Sequence, residues 1–177
     1  MSELDLDIVL IGGPERRHIE LVEHDPAWAE RYEHERRRIA SALGDRALRI
    51  DHVGSTSVPG LAAKPIVDID VSVADPEDEA AYVPDLVAAG YVLRVREPGH
   101  RLVRTPELDV HVHVCAIGSE WERRHLVFRD WLRAHPDDRQ RYEDVKRSLA
   151  GRTWDDTNDY AAAKTDVIDE IMARATS

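Results

Sequence analysis

The chain predicts an α+β fold: a mixed β-sheet core with helices and a helical C-terminal half. Three stretches carry that expectation. Residues 65–73 (Pro-Ile-Val-Asp-Ile-Asp-Val-Ser-Val) and 108–116 alternate apolar and polar side chains, the period of strands with two unlike faces. From Ser119 onward the spacing turns helical, with helices expected near 119–134, 137–150 and 156–175, punctuated by Pro136 and Gly151.

The remaining elements follow in order. Residues 1–17 form either an N-terminal extension or a short strand at Ile8 to Ile11, ended by Gly12-Gly13-Pro14. Ile19 to Val22 reads as a short strand. Asp25 as N-cap and Pro26 at the first position then open a helix that runs to about Leu43. Trp28, Tyr32 and Ile39 supply its apolar face and Gly44 stops it. A strand is expected at 47–53, a helix from Asp75-Pro76-Glu77 to Gly90, and strands at 91–96 and 101–104 around a Glu97-Pro98-Gly99 turn. Residues 18–177 thus read as one domain, helical from about 119.

Composition narrows the function. The 177 residues are 42% hydrophobic and 33% charged, enough for one core. A formal net charge of −11 argues against general nucleic-acid binding, which needs a cationic surface. It leaves room for a nucleotide site where a few cations gather. No apolar run reaches the roughly 20 residues of a membrane span, and no leader opens the sequence. The lone cysteine, Cys115, fits a reducing compartment, so a cytoplasmic location is expected.

The segment Gly54 to Asp70 holds the densest chemistry. Gly54-Ser55-Thr56-Ser57 offers a permissive backbone and three hydroxyls, which can cradle phosphate. The same residues suit a plain polar connection between strands. Asp68 and Asp70 follow on one strand face, where paired carboxylates call for a cation or for open solvent. Loop and acids together would let a metal touch both a carboxylate and a bound phosphate.

Asp109, His111, His113 and Cys115 share one face of the 108–116 strand. Asp109 could complete a carboxylate triad; alternatively His111 and His113 could chelate a transition metal with it, or simply pack beneath the helices. Cys115 reads as a buried small residue. Basic candidates for a triphosphate are Lys64, Arg101, Arg104, Arg129, Arg133, Lys146 and Lys164. Lys64 is favoured by its place between loop and strand. The Tyr142/Lys146 and Tyr160/Lys164 pairs, four apart, read as well as packing features.

These residues resemble the GrpB family, from about Ile19 to the C-terminus. The landmarks are Asp25-Pro-Ala-Trp28, His52-Val-Gly-Ser-Thr-Ser-Val-Pro-Gly60, Ala63-Lys-Pro-Ile-Val-Asp68 and Gly90-Tyr91. The His111/His113 strand, Phe128-Arg-Asp-Trp-Leu-Arg133 and the two Tyr–Lys pairs follow in the family's order. The resemblance implies a nucleotidyltransferase-like fold, a kinship with a domain fused to some dephospho-CoA kinases, and a Gly-Ser loop followed by an acid-x-acid strand. Carried over, Ser55 would bind phosphate, Asp68 and Asp70 would hold magnesium (or manganese), and Asp109 would be the third acid.

The leading expectation is therefore a magnesium-dependent nucleotidyltransferase that passes an NMP from an NTP to a small-molecule acceptor. Gly54, Ser55, Thr56, Ser57, Lys64, Arg101 and Arg104 would bind phosphate, and Asp68, Asp70 and Asp109 would do the chemistry. A non-catalytic nucleotide- or CoA-binding module is the alternative. A third reading is a metal hydrolase built on the His-x-His pair. Neither nucleic acid nor a membrane is expected as a partner, and the sequence leaves the oligomeric state open.

Overall fold

The computed structural model describes residues 8–177, apart from the side chain of Thr157. Six strands form one mixed sheet: β1 (Val9–Leu10), β2 (Arg49–Val53), β3 (Val67–Val73), β4 (Val92–Glu97), β5 (His100–Arg104) and β6 (Val110–Ala116). Their order across the sheet is β1-β4-β5-β6-β3-β2, with β3 and β6 parallel and every other pair antiparallel. The parallel pair lies inside the sheet and sets Asp68 beside His111 and Asp70 beside His113.

Six helices complete the fold: α1 (Ala27–Leu43), α2 (Val83–Ala88), α3 (Glu120–Ala134), α4 (Pro136–Ala150), α5 (Thr157–Ala163) and α6 (Thr165–Ala175). Asp25 accepts the Ala27 N–H at 2.9 Å at the start of α1, and Ser119 accepts the Glu122 N–H at 3.3 Å at the start of α3. Both side chains satisfy amide groups that a helix start leaves orphaned. No helix among the described residues is long and apolar enough to cross a membrane.

The pleat divides β3 into two chemistries. Val67, Ile69, Val71 and Val73 enter the main core with Trp28 and Ile39 of α1. The opposite face carries Asp68, Asp70 and Ser72, and each meets a polar partner from β6 or α3: His113, His125 and Glu122. A second core packs Val58 and Leu61 of the loop before β3 against Leu132, Tyr142 and Ile171 of the C-terminal helices. The helical half thereby clamps that loop.

Three local expectations are corrected, and one open alternative is answered for the described residues. The helix expected over 75–90 shrinks to a 3-10 turn at Glu79–Ala81 and α2, because Tyr82 OH bonds back to Pro76 O at 2.6 Å and fixes a turn there. Ile19 to Val22 makes a single bridge, Val22 to Ala63, instead of a strand. The helix over 156–175 breaks at Lys164 into α5 and α6. Val9–Leu10 pairs with β4, while residues 1–7 of the expected extension lie outside the described residues.

Candidate active site: a three-lysine cavity beside an Asp–His cluster

Ser55–Ser57 forms one 3-10 turn between β2 and β3. Gly54 enters it with φ +70°, and a Cβ there would lie 2.8 Å from Asp68 Oδ2. Glycine is thus required both for the left-handed backbone and for the closeness of loop to carboxylate. Ser57 Oγ closes the turn on Gly54 O at 2.5 Å, and His52 Nε2 lies 3.0 Å from Thr56 Oγ1. Burial pushes the His52 imidazole down to about 4, so it is neutral. Two arginines one turn apart on α3 hold the loop from outside. Arg129 donates to His52 O at 3.1 Å, and Arg133 to Ser57 O at 2.8 and 2.9 Å.

A cavity of about 280 Å³ opens over this turn, and Ser55, Thr56, Lys64, Asp68, His111 and His113 border it. Lys146 of α4, with Tyr160 and Lys164 from the end of α5, encloses the other side. Lys146 is 2% exposed and donates to Ser55 Oγ (3.0 Å) and Ala62 O (2.6 Å). Glu143, one turn earlier on α4, accepts the N–H of the same Ala62 at 3.0 Å. One helix thus grips both polar groups of a single loop residue, which aims Lys146 at the cavity. Lys64 and Lys164 place their ammonium groups 5.1 and 4.9 Å from the Tyr160 ring centre, within cation–π range.

The three lysines are unusual in their acidity. Burial, and after it the nearby Lys164 ammonium, brings Lys64 down to about 8 and Lys146 to about 7. Burial also lowers Lys164. Ammonium groups that crowd together out of water favour an anion among them.

The acids separate. Asp68 is the one carboxylate that borders the cavity among the described residues. Burial raises its pKa, but the hydrogen bond from His113 and the charges of His113, His111 and Lys64 outweigh that and hold it well below the usual range. Asp70 is 1% exposed and meets His125 Nδ1 at 2.8 and 3.0 Å, away from the cavity lining. Asp109 does not join them. It precedes β6, accepts from Thr105 Oγ1 at 2.7 Å, pairs with Arg31 at 3.4 Å, and borders a separate cavity of about 300 Å³. Leu108, with φ +63°, starts the bend that takes it out of the strand face.

Arg101 and Arg104 are likewise engaged elsewhere. Arg101 lies on the β5 face opposite Leu102 and binds Glu77 and Glu97 O, at 2.8 and 2.7 Å. Arg104 is held by both oxygens of Glu15, at 2.6 and 2.9 Å. Strand alternation removes the first from the cavity and a bidentate ion pair secures the second.

Asp68, His111 and His113 each offer one ligand atom within 4.8 Å of the others. Magnesium, which the resemblance implies, takes a shell of hard oxygens. With Asp70 turned to His125, the donors at this point are one carboxylate and two imidazoles, and these do not fit magnesium. Burial drives His111 down to about 4. It acts the same way on His113, but the hydrogen bond and charge of Asp68 prevail and raise it.

Fold and cavity together describe a mixed α+β protein with a buried cationic pocket at the C-terminal helices. Residues 18–174 match the family described as GrpB protein. A UPF0157 protein of Streptomyces coelicolor is 58% identical over 168 residues, 95% of this chain and 90% of the relative. A dephospho-CoA kinase of Mycolicibacterium paratuberculosis is 33% identical over 90% of this chain, which spans 46% of that protein. The crystal structure of conserved protein GrpB from Enterococcus faecalis superposes with a TM-score of 0.76 at 30% identity, covering 89% of this chain and 100% of that one. The chain belongs to the GrpB family.

Proposed function

We propose that the three-lysine cavity takes the phosphate end of a nucleotide, and that the chain transfers a nucleotidyl group from an NTP to a small-molecule acceptor. The observation that carries this reading is the convergence of Lys64, Lys146 and Lys164 on the Ser55-Thr56 turn, with Asp68 at the edge. The hydroxyls would donate to phosphate oxygens and the ammonium groups would offset their charge. An acceptor hydroxyl, amine or carboxylate would attack the α-phosphorus. The bond to the α–β bridging oxygen would break, pyrophosphate would leave against the lysines, and a protic acceptor would release one proton. An acidic exterior suits a small or cationic acceptor, and the turnover test is pyrophosphate release from NTPs with an acceptor panel and varied divalent cations. Release that Lys146→Met abolishes is the expected result; no release with any NTP would overturn the catalytic part.

Asp70 favours a second reading. A carboxylate held by His125 is not presented to a ligand, and the chain matches 46% of the length of a dephospho-CoA kinase. A non-catalytic module that holds a nucleotide or a CoA compound would bind without turnover.

A further inference from the structure

The cluster at Asp68 has a buried support that neither the phosphate cavity nor a magnesium site requires. We propose that Asp68, His111 and His113 form a transition-metal site of the two-imidazole, one-carboxylate type, and that His100 and Glu97 are its positioning residues. The site stands on its own donors, whichever phosphate compound fills the cavity.

The hydrogen-bond chain begins at Glu97, whose carboxylate accepts from His100 Nδ1. A neutral His100 then has only a lone pair at Nε2, which lies 3.0 Å from His113 Nδ1. His113 must therefore donate from Nδ1, which leaves the Nε2 lone pair directed at Asp68 Oδ1, also 3.0 Å away. Two acceptors at that distance need a cation between them. A proton on His113 serves, and so does a metal ion.

Two of the three ligand separations fit a metal ion. Ligands about 2.0–2.2 Å from one ion lie at most roughly 4.4 Å apart. His113 Nε2 and His111 Nδ1 stand 3.0 and 3.8 Å from Asp68 Oδ1. A carboxylate–histidine–metal relay fixes the tautomer and ring orientation of a ligand histidine, and here a second histidine extends it. His100 is itself held by a stacked Trp121, with ring centres 3.9 Å apart and planes 19° apart. The Pro98-Gly99 turn sets Glu97 opposite His100 across the β4–β5 hairpin. Imidazole suits zinc, iron, copper and nickel, whereas magnesium and manganese prefer oxygen ligands.

The test uses the untagged full chain, stripped of metal and titrated calorimetrically with Zn²⁺, Co²⁺, Mn²⁺ and Mg²⁺ without nucleotide. One equivalent of Co²⁺ or Zn²⁺ should bind, and Mg²⁺ in about a hundredfold excess should not displace it. The visible bands of bound Co²⁺ report imidazole ligation. His111→Ala and His113→Ala should abolish them. Glu97→Gln and His100→Ala should shift them and weaken Co²⁺ binding about 10–100-fold, whereas Asp109→Ala should change neither. Displacement by that excess of Mg²⁺, no binding of any of the four ions, or bands that survive both histidine substitutions would overturn the site. Where a variant fails to fold, the competition on the parent chain still decides. Nucleotide binding without metal binding would sink this inference alone, and the converse would sink only the nucleotide reading.

Discussion

Lys146 Nζ reaches Ser55 Oγ at 3.0 Å, joining a helix of the C-terminal half to a turn 91 residues earlier in the chain. This contact turns a polar loop into one wall of a cavity. Without α4 and α5, Ser55 and Thr56 would be ordinary turn residues.

Removal of that ammonium should be felt by an anionic ligand first. Hydrogen bonds to charged groups are worth about 1.5–3 kcal/mol, so Lys146→Met should weaken nucleotide or pyrophosphate binding by roughly 10–100-fold. Calorimetric titration of the two proteins at one salt concentration reads this directly.

The same lysines make a pH prediction. In the unfolded chain Lys146 keeps its proton to its ordinary 10.5, but in the folded protein it gives it up near 7. Over about pH 7 to 10 the unfolded state binds more protons, so the stability of the ligand-free protein should rise with pH. Lys64, at about 8, adds to the upper part of that window. Phosphate binding needs the ammonium forms and should weaken over the same range. At pH 8 it should take up protons, visible as a dependence of binding heat on the buffer's ionisation enthalpy.

Gly54 tests the spacing between loop and strand. Gly54→Ala puts a Cβ in a left-handed backbone at a cost of about 1–2 kcal/mol and against the Asp68 carboxylate. The melting temperature should fall, and ligand and cation binding should fall with it.

Arg101 and Arg104 should behave in the opposite way. Arg101→Ala breaks bonds to Glu77 and to the Glu97 carbonyl, and Arg104→Ala removes the two bonds to Glu15; neither residue touches the cavity. Each should lower stability, read by thermal melting, and leave nucleotide affinity within about twofold.

The sheet was legible because its central strands alternate so strictly: Val67 to Val73 and Val110 to Ala116 are β3 and β6. Ser55, Thr56, Lys64 and Asp68 were legible as a unit because one short segment holds them all. Lys146 and Lys164 were visible as two of seven basic candidates and as Tyr–Lys pairs, but nothing local says that α4 and α5 fold back over residue 55. The His100–Glu97 support was hidden in a turn signal, and Asp109 misled because the strand face it shares by alternation ends one residue later, at Val110. The split of Asp68 from Asp70 depends on His125, which no spacing rule connects to β3.

The central claim is that three lysines, Lys146 buried and Lys64 and Lys164 half-buried, form a phosphate site. Its most direct test is calorimetric titration of the parent chain and a Lys146→Met, Lys164→Met double variant with NTPs, CoA compounds and pyrophosphate at pH 7. The account predicts saturable binding of at least one of these by the parent and a loss of about 100-fold or more in the double variant. Binding of equal strength by both proteins, or no binding of any phosphate compound by the parent, would contradict it.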